Sequence, residues 1–367
     1  MGVLVASVVW GHGAWAICTA AEIIAQEPAS CPNNTSPCTI TKTYAVDNNC
    51  VLDFGTRAVT LNAQKGALDI NSGSVVLKAG SLTIPANFAQ VRQIDGRGNG
   101  VAPSTTTGGQ ISIQTSGDVN VQKSGTIFGR IDVSGDVQAG SIEIIAGGNV
   151  VIAGALNADN NNSNPGGTGG SITIRAGGDI TTLLGSNVTC IGGINGFGGG
   201  DMDFLAAGKI DLGDLVDVHG SDAGTVTLTA NGQVNVHQIN ASASGDGGGG
   251  GSITITAGTG AQILGNQMLP GGISSTGLGG GDAGTFSAET RYGDLVIAAT
   301  IDASGPVPDG TGGEIDLTTH GALTMQSGTI NARADGAQGT GGLIDIQTDF
   351  ALTSAATIDA SGGIGGG

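Results

Sequence analysis

The chain has few aromatic residues, few basic residues and no stretch with the periodicity of a long helix. Phe, Trp and Tyr make up 3% of its 367 residues, and 12 Lys and Arg stand against 30 Asp and Glu, a formal net charge of −18. Such a surface repels phosphate backbones and anionic lipids, so we expect no nucleic-acid partner. After residues 1–16 there is no run of 18 apolar residues, so we expect no transmembrane segment in the mature protein.

What the chain has in abundance is glycine, 70 residues of it, within a repeat of about 29 residues. Each unit contains a glycine pair, two alternating apolar residues, a Gly/Asp turn, a second strand and a third strand. The third strand ends in a phrase such as Thr-Ile-Asp-Ala-Ser-Gly, at 300–305 and 357–362. The first inward residues are Ile111, Ile142, Ile172, Met202, Val226, Ile253, Phe286, Ile315 and Ile344, and those of the third strand are Ile94, Ile131, Leu156, Val216, Ile239, Ile273, Ile301, Ile330 and Ile358, with Val188 a looser member.

This repeat predicts an all-β fold, a right-handed parallel β-helix. Apolar and polar residues alternate over three to five positions, as in a strand with one buried face. Three short strands cannot close a core alone, whereas stacked units form three parallel sheets around a narrow apolar interior. We expect about ten rungs over residues 51–367, right-handed because parallel crossovers prefer that hand. The corner after the third strand varies most in length, so we expect binding loops there.

The N-terminal region predicts secretion and a disulfide-bonded cap. Residues 1–16 are uncharged and end in Ala-Trp-Ala, which is typical of a cleaved signal peptide. Four cysteines follow within residues 17–50, and we predict two disulfides among them, with all three pairings open. A metal site is the weaker alternative, because this segment has no histidine and no Cys-x-x-Cys pair. The four are Cys18, Cys31, Cys38 and Cys50. Cys190, the fifth, is interpreted as a small buried hydrophobe.

A column of short polar residues follows the inward position of the third strand. Its members are Asp95, Asp132, Asn157, Thr189, Asp217, Asn240, Ser274, Asp302, Asn331 and Asp359. Hydrogen bonds that close the following turn, together with stacking of side-chain amides, are the first interpretation. The second is a ladder of weak Ca²⁺ sites on the aspartates, Asp95, Asp132, Asp217, Asp302 and Asp359. We predict no other cofactor.

Residues typical of the pectin-active enzymes that share this fold are scarce. The only Gly-His-Gly lies at 11–13, within the predicted signal peptide. Asp201 and Asp203 point the same way on one predicted strand and are the candidate carboxylate pair for catalysis. Solvated residues on the face of a strand are the alternative interpretation. The basic residues a lyase would need are scattered over separate rungs, at Arg130, Arg175, Arg291 and Arg333.

The phrases Gly-Gly-Ser-Ile-Thr-Ile at 169–174 and 250–255, and Ala-Gly-Gly-Asp-Ile at 176–180, carry a family resemblance. Over about residues 50–367 the chain resembles the Gly-rich filamentous-haemagglutinin-like exoproteins of Gram-negative bacteria. The resemblance implies an extracellular or cell-surface rod, without enzymatic activity, used in adhesion or matrix building. The Asn-Pro-Asn signature of their secretion domain is missing, and the nearest string is Asn-Pro-Gly at 164–166.

We therefore expect a secreted structural or adhesive β-solenoid, a surface fibre or filament subunit whose partners include host or matrix glycans. A polysaccharide-acting β-helix enzyme or a glycan-binding spike is the alternative. The sequence stops in a glycine corner after a third strand, with no covering helix. We expect either a longer repeat array or end-to-end self-association there, because an uncovered edge pairs readily with another strand.

Overall fold

Short alternating segments form three parallel sheets that run the length of the molecule. The computed structural model describes residues 16–32, 37–62, 67–86, 92–97, 106–160, 167–193, 198–245, 247–264, 272–274, 276–277, 281–306 and 309–363. They form a parallel β-solenoid of about ten turns with about 29 residues per turn, which confirms the predicted fold class. Of the predicted signal peptide, only Ala16 lies within the described residues. No helix among them is long and apolar enough to span a membrane.

Sheet 1 contains the longest regular strands, of six residues each, joined rung to rung in register. It begins with Ile17–Thr19 and the second half of Tyr44–Asp53. It continues through Ser74–Ala79, Gln110–Thr115, Ser141–Ala146, Ser171–Ala176, Asp201–Ala206, Thr225–Ala230, Ser252–Ala257, Thr285–Thr290, Glu314–Thr319 and Leu343–Thr348.

Sheets 2 and 3 are built from shorter strands. Sheet 2 contains Cys38–Ile40, Ala58–Leu61, Ser81–Ile84, Val119–Val121, Val150–Ile152, Ile180–Thr182, Ala261–Ile263, Leu295–Ile297, Leu323–Met325 and Leu352–Ser354. Sheet 3 contains Leu68–Asp69, Ile94–Asp95, Arg130–Asp132, Ala155–Asn157, Asn187–Thr189, Gly272–Ser274, Thr300–Asp302, Thr329–Asn331 and Thr357–Asp359.

Three long strands take part in two sheets each. Ile210–Asp217 and Val234–Asn240 pass from sheet 2 into sheet 3, and the start of Tyr44–Asp53 pairs in sheet 3 with Leu68–Asp69. A small antiparallel hairpin, Lys123–Ser124 with Ile127–Phe128, stands apart from the three sheets.

The interior is a stack of apolar columns, one side chain per rung. The predicted first-strand column runs in register from Ile111 to Ile344, and the third-strand column from Ile94 to Ile358. Val188 is a regular member of the latter, paired with Leu156 and Val216. Full burial of one such side chain stabilises the fold by roughly 1.5–3 kcal/mol, so a column summed over many rungs is the main source of stability.

A column of glycines explains why a glycine directly precedes each strand of sheet 1 from Ser74–Ala79 onward. A Cβ atom added at Gly140 would lie 1.7 Å from the carbonyl oxygen of Gly109, one rung earlier. The same conflict recurs between Gly170 and Gly140, at 2.0 Å. Backbones of successive rungs approach too closely at this corner for any side chain, so glycine is required there for space.

A cap closes the N-terminal end. Helix α1, Ala20–Gln26, begins at Thr19, whose side chain accepts from the backbone N–H of Glu22 while the Glu22 carboxylate accepts from that of Thr19. Ala20 and Ile23 are buried against the first rung. The cap also contributes strands, because Ile17–Thr19 pairs with Tyr44–Asp53 in sheet 1 and Cys38–Ile40 pairs with Ala58–Leu61 in sheet 2.

Two disulfides hold the cap, as predicted, and the structure selects one of the three open pairings. Cys18 is bonded to Cys50 and Cys31 to Cys38, with Cα–Cα distances of 4.9 and 4.2 Å. The first bond connects the strand before helix α1 to sheet 1 of the following rung. The second closes a short loop beside sheet 2.

Candidate functional site

The polar column after the third strand closes turns. Asp132 Oδ1 accepts from the backbone N–H of Ser134 at 3.1 Å and from its hydroxyl at 2.7 Å. Asp217, Asp302 and Asp359 accept in the same way from the backbone N–H two residues later, at 3.1, 3.1 and 3.0 Å. These are Asx turns, and they match the first interpretation of the column.

Amides and cations are the partners of the carboxylates along this column. Asn331 Nδ2 donates to Asp302 Oδ1 at 3.0 Å, and Asn240 Nδ2 donates to Asp217 Oδ1 at 3.1 Å. Elsewhere the partner is a cation, as in the ion pair between Arg97 Nη2 and Asp95 Oδ2, which lie 2.9 Å apart. Within the described residues, no group of three or more His, Cys, Asp or Glu side chains is placed to hold a metal ion. The Ca²⁺ ladder stays a prediction.

One half-buried carboxylate near this column has a shifted pKa. Burial raises the pKa of Asp159, although the Ile191 N–H at 2.9 Å and the Thr189 hydroxyl at 2.8 Å hydrogen-bond to it. The neighbouring charges of Asp132 and Asp217 raise it further. The hydrogen bond that the His219 ring donates to the Asp217 carboxylate raises the pKa of His219, so the His219 side chain becomes protonated more readily beside these acids.

Cys190 lies inside the solenoid, as the sequence predicts. Its side chain is fully buried, and burial raises the pKa of its thiol well above the ordinary value. A protonated, inaccessible thiol is a poor nucleophile, so Cys190 serves packing.

The two acids of the candidate carboxylate pair lie in different surroundings. Asp201 and Asp203 lie on the same strand with both side chains outward, but Asp203 forms an ion pair with Arg175 at 3.5 Å on the open face of sheet 1. Asp201 Oδ1 accepts from the Thr225 hydroxyl at 2.5 Å and lines a groove that Asp203 does not reach.

That groove has a volume of about 730 Å³. It lies at the corner between sheets 3 and 1, where the sequence predicts binding loops. The described part of its lining follows five strands of sheet 1, from Ser74–Ala79 to Asp201–Ala206, and includes one acid and no aromatic or basic residue. It consists of Asn48, Asn49, Ser72, Gly73, Ser74, Thr107, Gly108, Gln110, Gln138, Ala139, Gly140, Ser141, Gly169, Gly170, Ser171 and Asp201.

One wall of this corner groove is the first outward column of sheet 1. Ser74, Gln110 and Ser141 are paired in register, as are Ser141, Ser171 and Asp201. The stacked glycines form the floor, and Thr107 and Gln138, joined by a bridge between rungs, form the opposite side. The groove therefore follows the axis of the solenoid across successive rungs. The sequence analysis did not single out this row, although its members directly precede the first inward residues of the repeat, as Gln110 precedes Ile111.

The fold defines the class of this protein as a parallel β-solenoid. No protein-family model, curated protein or solved structure matches the chain. The resemblance to filamentous-haemagglutinin-like exoproteins therefore contributes to the proposal below as a prediction from the repeat phrases.

Proposed function

We propose that the chain is a secreted, non-enzymatic β-solenoid that acts as a structural or adhesive rod outside the cell. The observation that carries this proposal is the unbroken ladder of sheet 1, in register from Ser74–Ala79 to Leu343–Thr348. Hydrogen bonds join the rungs around one apolar interior, so each surface residue keeps a fixed position along the axis of the solenoid. That stiffness is what a spacer or an adhesive stalk requires.

Three features support an extracellular site of action. The cap has two disulfides, which form and persist in oxidising compartments. The uncharged segment 1–16 has the pattern of a signal peptide, and the net charge of −18 keeps such rods apart in solution. The repeat phrases shared with exoproteins of Gram-negative bacteria point to the outer cell surface or the medium.

The proposal is tested by measuring where the protein is found in its native source and whether its disulfides are formed. We expect protease-accessible protein in the medium or on the cell surface, with both disulfides formed by mass spectrometry. Beads coated with the purified protein should attach to host cells or matrix, and electron microscopy should show rods on the order of 50 Å per ten rungs. Reduced protein confined to the cytoplasm, or coated beads that attach no better than albumin-coated beads, would overturn the proposal.

A polysaccharide-acting enzyme is the second candidate, favoured by the position of Asp201 in a groove that could hold a glycan. Hydrolysis by two carboxyl groups requires them about 5–9.5 Å apart around the scissile bond, and Asp201 is the one carboxyl group among the described residues that line the groove. Depolymerase activity that is abolished by Asp201→Asn, and kept by Asp345→Asn on the outer face, would establish the enzyme instead of the rod.

A further inference from the structure

We propose that the corner groove between sheets 3 and 1 binds an extended, uncharged oligosaccharide. The inference names a ligand class for the proposed adhesive role and rests on that role. It is carried by the spacing, the free hydrogen-bonding groups and the charge of the groove.

The spacing of the wall matches an extended sugar chain. Ser74, Gln110, Ser141, Ser171 and Asp201 follow one another rung by rung, and neighbouring strands lie about 4.8 Å apart. A sugar ring in an extended β-1,4-linked glycan advances by a comparable distance. Five rungs therefore place one polar side chain beside each of about four or five rings.

Four polar side chains of the groove are free to bind a ligand. Within the described part of the chain, the side chains of Gln110, Gln138, Ser141 and Ser171 make no hydrogen bond to protein, and both glutamines are exposed. An amide offers two donors and an acceptor, and a hydroxyl offers one donor and two lone pairs. Sugar hydroxyls likewise donate and accept, so the two sets of groups are complementary.

The floor admits a flat ligand along its whole length. Gly108, Gly140 and Gly170 carry no side chains because a Cβ atom at these positions would lie 1.8, 1.7 and 2.0 Å from a backbone oxygen across the corner. The close backbone contact that requires glycine thus also keeps the groove open.

Charge and strand pairing select the ligand class. Among the described residues that line the groove, Asp201 is the one acid and there is no Lys or Arg, so phosphate, sulfate and uronate groups would meet a carboxyl group without a compensating cation. An extended peptide would seek a free strand edge, but the strands along this wall are paired on both sides. An uncharged glycan needs neither a cation nor an edge.

The test uses the whole chain and cellohexaose and chitohexaose as probes, with saturation-transfer NMR and calorimetry. We expect at least one hexasaccharide to bind and an oligogalacturonate of the same length not to bind. The variant Gln110→Ala/Gln138→Ala should weaken binding about tenfold or more, because it removes the amide contacts from both sides of the groove. The matched control Gln114→Ala lies on the same strand as Gln110 but outside the groove, and should change binding less than about twofold.

Binding of neither hexasaccharide, equal binding by the double variant and the wild type, or preference for oligogalacturonate would overturn the inference. Circular dichroism confirms that the exposed substitutions leave the fold intact. Beads that still attach to cells when coated with the double variant would end the groove inference and leave the proposed rod standing. Hexasaccharide binding by a protein that remains in the cytoplasm would support the groove inference and overturn the proposed extracellular rod.

Discussion

The two ends of the described solenoid differ in how far their interior side chains are exposed. At the N-terminal end Ile23 of the cap helix is 0% exposed, and the cysteines of both disulfides other than Cys18 are buried. In the last described rung Leu352 and Ile358 are 52% and 46% exposed, whereas their register partners one rung earlier, Leu323 and Ile330, are 0% exposed. One rung cannot bury its own interior, so each depends on a neighbour or a cap.

The cap also satisfies the backbone at its end. The N–H of Thr39 in sheet 2 donates to the carbonyl of Ser30 at 2.9 Å, and those of Thr41 and Lys42 donate to the Glu27 carboxylate at 2.9 Å each. A sheet edge covered in this way cannot pair with another chain. Strand pairing between copies is thus disfavoured at the cap, and the predicted self-association would use the last described rung.

The largest expected effect comes from removing both disulfides. In the chain-entropy model, the bond Cys18–Cys50, with a separation of 32 residues, stabilises by about 3.5 kcal/mol, and the bond Cys31–Cys38, with a separation of 7, by about 2.5 kcal/mol. Reduction should therefore destabilise the cap by about 6 kcal/mol and speed amide exchange in residues 16–62 well before residues 314–348.

Hydrogen exchange and thermal melts with and without reductant measure this difference. The double variant Cys18→Ser/Cys50→Ser should lose more stability than Cys31→Ser/Cys38→Ser. Unchanged thermal stability and solubility in reductant would show that the disulfides do not hold the cap.

The second prediction compares two isoleucines of one column. Ile330→Ala should cost about 2–5 kcal/mol, because it leaves a cavity among fully buried side chains. Ile358→Ala, one rung later and 46% exposed, should cost less than about 1 kcal/mol. Urea unfolding followed by circular dichroism gives both values. Equal costs would mean that Ile358 is covered in solution.

The third prediction concerns acid and the cap. Burial raises the pKa of Glu27, but hydrogen bonds from Thr41, Ser30 and Lys42 outweigh this effect and lower its pKa from the ordinary 4.5. A lowered folded-state pKa stabilises the cap fully above the unfolded value, and this contribution is lost as pH falls through the lowered value. We expect exchange in residues 16–62 to rise with acid below about pH 4.5.

Glu27→Gln separates this effect from general acid unfolding. The variant should cost about 1.5–3 kcal/mol at neutral pH, because the backbone N–H groups of Thr41 and Lys42 lose a charged acceptor. It should also flatten the acid dependence of the cap while leaving residues 314–348 as in the wild type. An unchanged pH profile would assign the acid sensitivity to other groups.

The smallest expected effect is self-association through the last described rung. The exposed surface of Leu352 and Ile358 is modest, so we expect association at high protein concentration only, surviving high salt because the contact is apolar. Leu352→Asp/Ile358→Asp should abolish it, and Val51→Asp, exposed near the cap, should not. Light scattering and electron microscopy check this. Wild-type protein that stays monomeric at high concentration and high salt would rule it out.

Much of the rod could be predicted from sequence because a solenoid repeats one local pattern. The alternation at Ile172 and Ile174 is enough to place both residues inside. The cap was harder. The Thr19–Glu22 capping box is visible in the sequence, but a helix of seven residues has too few turns for a periodic signal. Without repeat phrases, Cys38–Ile40 could not be recognised as a strand of the first rung.

The candidate groove also could not be predicted in full from the sequence. Gln110 and Gln138 lie 28 residues apart, and nothing local in the sequence pairs them. Only the stacking of rungs brings both to one corner, beside Ser141 and above a glycine floor. Likewise, only the stacked structure shows that Asp203 pairs with Arg175 one rung earlier while Asp201 lines the groove.

The sequence by itself determined the three-strand rung, its inward columns and the presence of a cysteine-rich cap, because each depends on contacts between neighbours in the chain or between equivalent positions of a repeat. The tertiary structure alone decided which cysteines pair, how the cap covers the first rung and which polar side chains share the corner groove. The cysteine pairing and the cap depend on distances between residues that the repeat does not relate. The groove depends on which outward positions meet across a corner, and that is decided only once the rungs are stacked.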